Sequence, residues 1–194
     1  MAPLSTGLHI STVSAGGSHR VCAIWRVHGR PAPAPDRSCA HPAALLLPRR
    51  GAEQDWAVET VLAALRERGA PDGPACAALT TDADGIALVR LRGGLCDADL
   101  LELGRAALGA GQREWAALAD SDPAAFRAAA DAPYALRRQA AVVRGPQPGG
   151  GPVHVVHRRA EEVLRAYTAD LLSGAPRPRP PEPPFSEDSE DTHP

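Results

Sequence analysis

The dipeptide Asp84-Gly85 lies between two stretches that alternate apolar with polar or small residues, "ACAALTT" (75–81) and "IALVRLR" (86–92). A tight hairpin loop needs positive φ at its centre, and Asp-Gly supplies it with little strain. The feature predicts an antiparallel pair, 75–81 with 86–92, and so requires a sheet. A second hairpin is expected earlier. "LHISTV" (8–13) and "HRVCAIWRV" (19–27) flank "SAGGS", whose glycines can turn the chain. Strict alternation would put Val21, Ala23, Trp25 and Val27 on one face and Cys22, Ile24 and Arg26 on the other.

Prolines 31, 33, 35, 42 and 48 fall within residues 28–51. Proline lacks the N–H that a helix interior or a central strand needs, so this stretch reads as a long irregular loop. Beyond it, Val58, Val61, Leu62 and Leu65 recur at helical spacing over 53–68, with Gly69 placed to end the helix. Asp97 or Asp99 can start a helix containing Leu100, Leu101, Leu103 and Leu108, broken at "GAG" (109–111) before Trp115 and Leu118. Asp122-Pro123 marks a further helix start. "GPQPGGG" (145–151) reads as a connector. Residues 153–172 read as a last helix with Val156, Ala160, Val163, Tyr167 and Leu171 on one face and Glu161 paired to Arg165. The order ββαββααα predicts an α+β fold: a small antiparallel sheet of two hairpins against a helical C-terminal half. Residues 1–174 are expected to form one domain, and 175–194 a disordered proline-rich, acidic tail.

Composition then limits chemistry. The chain contains no Lys and no Asn. That excludes a P-loop lysine, a Schiff-base lysine, a protein-kinase lysine and any N-glycosylation site. Together with the Arg-only basic residues it points to a GC-rich viral or bacterial genome. Residues 1–52 carry six Arg against one acid, Asp36, while 175–194 carry two Arg against five acids. No run of about 18 apolar residues is present, so no spanning helix is expected. The N-terminus lacks the charged and apolar regions of a secretory signal. A cytoplasmic location is expected, or host cytoplasm or nucleus for a viral protein, with Cys22, Cys39, Cys76 and Cys96 reduced.

Local motifs give few leads. Cys22, His28, Cys39 and His41 are zinc-ligand types crowded into 20 residues, but C-x5-H followed by C-x-H is not a metal knuckle. Ser18 and His19 are strand neighbours pointing to opposite faces, unsuited to a nucleophile–base pair. Asp82 with Asp84, and Asp97 with Asp99, serve a turn and a helix start, and Gly93 stands where a calcium loop needs its final Glu. His154 and His157, beside Arg158 and Arg159, would form one helical face able to meet phosphate.

The tail offers more. Arg177, Pro180 and Pro183 fit R-x-x-P-x-x-P, a polyproline ligand pattern. Ser186 and Ser189 lie among acids in a context that suits phosphorylation. The sequence therefore predicts a non-enzymatic interaction or adaptor protein with a regulatory tail and a protein partner. It assigns no catalytic, cofactor-binding or metal-binding residues. A nucleic-acid-binding module using the Arg-rich segment 20–50, and an enzyme of unrecognised class, are the alternatives.

Overall fold

A computed structural model describes residues 6–28, 43–82, 85–144 and 152–157. Among these residues seven strands form one antiparallel sheet: β1 (Thr6–Ala15), β2 (Ser18–His28), β3 (Ala43–Leu46), β4 (Gly73–Asp82), β5 (Gly85–Gly93), β6 (Gln139–Arg144) and β7 (Pro152–His157). Their spatial order is β5-β4-β1-β2-β3-β6-β7. Four helices are present among the described residues: α1 (Ala52–Glu67), α2 (Ala98–Leu108), α3 (Gln112–Ser121) and α4 (Pro123–Ala130). The fold is α+β, as the pattern of elements predicts.

Both expected hairpins form. Gly16 and Gly17 turn β1 into β2 with φ of 55° and 78°, values that a residue with a Cβ rarely adopts. β4 pairs β5 from Ala75–Gly93 to Asp82–Gly85. The two hairpins share one sheet because β1 also pairs β4 along Gly7–Ser14. Gly7 is required there, since a Cβ would meet the Leu79 carbonyl oxygen at 2.5 Å.

The sheet exceeds the two hairpins expected. Within the proline-rich stretch, Ala43–Leu46 forms the short strand β3 between β2 and β6, buried on both faces. Burial on both faces explains why it reads as a plain apolar run rather than an alternation. Residues 152–157 form β7, paired with β6, and not the start of a helix. His154 and His157 are thus strand positions opposite Val142 and Gln139, and the shared helical face is lost. Residues 158–172, like the connector 145–151 and the tail 175–194, lie outside the described residues.

The sheet is the middle of three layers. On one face α1 lays Val58, Val61 and Leu65 against Leu8, Ile10, Ile24, Leu45 and Ala77. Gly69 ends α1 with φ 53°, and Ala70 N–H donates to the Leu65 carbonyl. On the other face α2 covers Ala23, Trp25, Val27 and Leu46, and α3 and α4 cover Val13 and Cys22 with Ala119 and Phe126. Asp122 caps α4 by accepting from Ala125 N–H at 3.0 Å, with Pro123 at the first helical position.

One irregularity reassigns the faces of β2. Ser11 pairs Ala23 while Thr12 pairs Val21, so Cys22 is an extra residue on β2. The bulge changes the phase of alternation. Val21 joins Ile24 on the α1 face, and Cys22 joins Ala23 and Trp25 on the helical face opposite, instead of the reverse.

Candidate functional site

The helical face of the sheet gathers chemistry that no local motif announces. His9 on β1 and Cys76 on β4 are diagonal neighbours, because His9 pairs Ala78 and Ser11 pairs Cys76. Cys96 arrives from the connection between β5 and α2, and Leu101 of α2 closes over both cysteines. The Nδ1 or Nε2 atom of His9 and the two sulfurs lie within 4.8 Å of one another, and all three residues are buried. Cys76 and Cys96 are joined as a disulfide, with Cα atoms 5.8 Å apart. The expectation that they stay reduced is corrected: strand pairing and the turn after β5 bring together residues 20 apart in sequence.

Gln112, at the start of α3, fixes this arrangement. It is 2% exposed. Its Oε1 accepts from Cys96 N–H at 3.0 Å, while Nε2 donates to the carbonyls of Thr12 (3.0 Å) and Ala75 (2.9 Å). One side chain thus ties the helical layer to β1, β4 and the Cys96 loop. A cavity of about 10 Å³ beside it is lined by Ser11, Cys22, Cys96 and Gln112, among others. Cys22 is a free thiol whose pKa is pushed up to about 12 by burial, so it stays neutral and a poor nucleophile.

The zinc ligand set considered from sequence does not assemble. Cys22 is buried among Val13 and Phe126, whereas His28 ends the same strand six residues on. At about 3.3 Å per residue that places them roughly 20 Å apart, too far for one ion. Cys39 and His41 lie outside the described residues. Asp97 takes the N-cap position of α2, with no side-chain hydrogen bond to the first turn, and Asp99 sits in that turn, while Asp82 closes β4 and Asp84 is not described. The tail residues Arg177, Pro180, Pro183, Ser186 and Ser189 also lie outside the described residues.

His19 does meet a serine, but across the hairpin: Ser14 Oγ and His19 Nδ1 are hydrogen-bonded at 2.8 Å. Ser14 is 1% exposed, so its hydroxyl is no accessible nucleophile. The pKa of His19 is lowered by burial and then by Arg66, against an opposing pull from Asp72.

Of the Arg-rich segment, Arg20, Arg26 and Arg49 are engaged within the fold, while Arg30 and Arg37 lie outside the described residues. Arg20 lies over the Trp115 ring, 3.5 Å from its centroid, and donates to the Ala129 carbonyl. Arg26 pairs with Glu53, and Arg49 with Asp55 at 3.1 Å. Cations spent on internal partners are poorly placed to meet phosphates of a nucleic acid.

No family model matches the sequence, and no curated protein does. Solved structures do match in fold. An L-amino acid ligase from Bacillus licheniformis superposes with a TM-score of 0.61 at 14% identity, over 84% of this chain and 52% of that one. N5-carboxyaminoimidazole synthetase from Staphylococcus aureus, complexed with ADP, gives 0.58 at 9% identity, over 87% and 50%. Phosphoribosylglycinamide synthetase from Anaerococcus prevotii gives 0.54 at 8% identity, over 86% and 51%. The chain spans about half the length of these structures, and at such identities the likeness carries the fold alone.

It nevertheless corrects the functional expectation. The fold of this chain is one found in enzymes, so the non-enzymatic adaptor does not stand. Among the described residues, no helix is long and apolar enough to cross a membrane.

Proposed function

We propose that this chain is an enzyme, or one half of one, that couples ligation of a small substrate to a nucleoside triphosphate, in the manner of the ATP-grasp type. The observation that supports the reading is the shared fold over 84% of the chain with half of an L-amino acid ligase, repeated for two synthetases. An ADP complex among these neighbours supports the nucleotide. With no Lys in the sequence, phosphate contacts would fall to Arg and to backbone N–H groups.

Two cavities formed by described residues are small, at about 50 Å³ between α2 and α3 and about 10 Å³ beside Gln112. A drug-sized ligand needs about 300 Å³ or more. A nucleotide would therefore not fit within either of these cavities.

The test is calorimetric titration of the intact chain with ADP and ATP, each with and without Mg²⁺, alongside thermal unfolding. Saturable binding is expected, with stabilisation of about 2.7 kcal/mol at a hundredfold excess over Kd. Phosphate release from ATP that depends on an added amino acid would then name the reaction class. A folded chain that neither binds nor is stabilised by either nucleotide at millimolar concentration overturns the reading.

A further inference from the structure

We propose that His9, Cys76 and Cys96 form a binding site for a soft divalent cation, zinc in the ordinary case, which becomes available when the Cys76–Cys96 disulfide is reduced. The site is independent of the nucleotide reading.

Three observations carry it. The donor atoms come from three separate elements yet lie within 4.8 Å of one another. A tetrahedral zinc with sulfur at about 2.3 Å and nitrogen at about 2.0 Å sets its ligand atoms roughly 3.5–3.8 Å apart. The sulfurs reach that spacing once their bond is broken, with His9 already beside them.

The second observation is the donor chemistry. Two thiolates and a neutral imidazole balance the charge of a divalent ion, so the loaded site is neutral overall. Neutrality matters because all three residues are buried and an uncompensated charge there would be costly. Thiolate with imidazole selects zinc-like ions over magnesium or calcium.

The third is support. Gln112 holds Cys96 through its backbone N–H and anchors itself on Thr12 and Ala75, the residue before Cys76. Two of the three ligands are thereby fixed relative to each other by a buried amide. A cavity of about 10 Å³ lined by Cys96 and Gln112 adjoins them, with room for about one water.

The chemistry balances with a dithiol reductant. Two electrons and two protons pass from it to the disulfide, giving two protein thiols and an oxidised reductant. Zinc then displaces the two thiol protons and takes the neutral nitrogen of His9. Reoxidation by a disulfide-class oxidant releases the ion.

The experiment uses the full chain, oxidised or reduced with a phosphine, freed of metal and titrated with Co²⁺ and then Zn²⁺. One ion per reduced chain is expected, with thiolate-to-cobalt charge-transfer bands, and none per oxidised chain. X-ray absorption of the wild-type zinc form should give two sulfur ligands and a nitrogen. Cys76→Ser and Cys96→Ser should each lose a sulfur. His9→Gln should weaken cobalt binding by about tenfold or more. Cys22→Ser should keep both stoichiometry and spectrum. If the reduced chain is unfolded, zinc should restore its fold. A reduced chain that takes up no ion, or a zinc form with fewer than two sulfurs, overturns the proposal.

Discussion

The hydroxyl of Tyr134 donates to the carbonyl of Leu47 at 2.7 Å. The same oxygen accepts from the N–H of Ile24 at 3.2 Å. A side chain beyond α4 therefore satisfies the backbone of β2 and of the residue leaving β3, where the ladder between those strands ends. Burial raises the pKa of the phenol well above its ordinary value, which keeps the donor protonated. Tyr134→Phe should lower unfolding free energy by about 1–3 kcal/mol, because two buried backbone groups lose a partner at unchanged shape. Urea denaturation checks it, and an unchanged midpoint would mean that water replaces the hydroxyl.

Gln112 stands in three hydrogen bonds with no exposure to repair them. Gln112→Leu keeps the size but leaves Cys96 N–H without this acceptor and removes a donor from the Thr12 and Ala75 carbonyls, the latter keeping the Thr12 hydroxyl at 3.4 Å, for a cost of about 1–3 kcal/mol. Gln112→Glu should be at least as damaging near neutral pH, since an ionised carboxylate cannot donate to Thr12 or Ala75. Equal stability of wild type and the Leu variant in thermal unfolding would show that the network contributes nothing net.

Trp25 is 1% exposed, packed with Leu46, Leu100 and Leu103. Gly104 of α2 lies over the same ring, and a Cβ there would meet the indole at 3.8 Å, an ordinary contact. Trp25→Ala should cost about 3–5 kcal/mol. In a chain carrying Trp25 alone, with Trp56 and Trp115 replaced by Phe, native emission should be blue-shifted. Water-like emission from that folded chain would place the ring outside the core.

The pKa of His19 is held below the ordinary 6.5 by burial and then Arg66, and that of His28 by burial and then Arg26. Below pH 6.5 the unfolded chain binds these protons first, so it holds more protons than the native state and unfolding gains. Stability from these groups is full above pH 6.5 and is lost as pH falls through that value toward the lower native pKa. Urea midpoints between pH 7.5 and 5 should fall on acidification, and His19→Gln should flatten the slope. A slope unchanged by His19→Gln would remove that residue from the account.

Much of the fold was legible along the chain. Gly16-Gly17 and Asp84-Gly85 specify turns through local backbone geometry, and β1, β2, β4 and β5 follow from them. The apolar spacing at Val58, Val61 and Leu65, the stop at Gly69 and the cap at Asp122-Pro123 are likewise local signals, and α1 and α4 obey them. β3, β6 and β7 were not legible. Ala43–Leu46 is a strand because β2 and β6 lie on either side of it, and 152–157 because β6 does. Tertiary context of that kind overrides propensity. The bulge at Cys22 changed which residues face the helices, and a single extra residue leaves no mark on composition or spacing.

The site belongs wholly to the second category. His9, Cys76, Cys96 and Gln112 are isolated letters in sequence, and each alone reads as an ordinary core residue. Strand pairing of β1 with β4 sets the first two side by side, the turn after β5 brings the third, and α3 lowers the fourth onto them. Sequence by itself determined what these 194 residues cannot use, above all any lysine chemistry of their own, because a missing residue type is missing in every fold. Tertiary structure decided which of its side chains meet, because that depends on distances of a few ångströms between residues far apart in the chain.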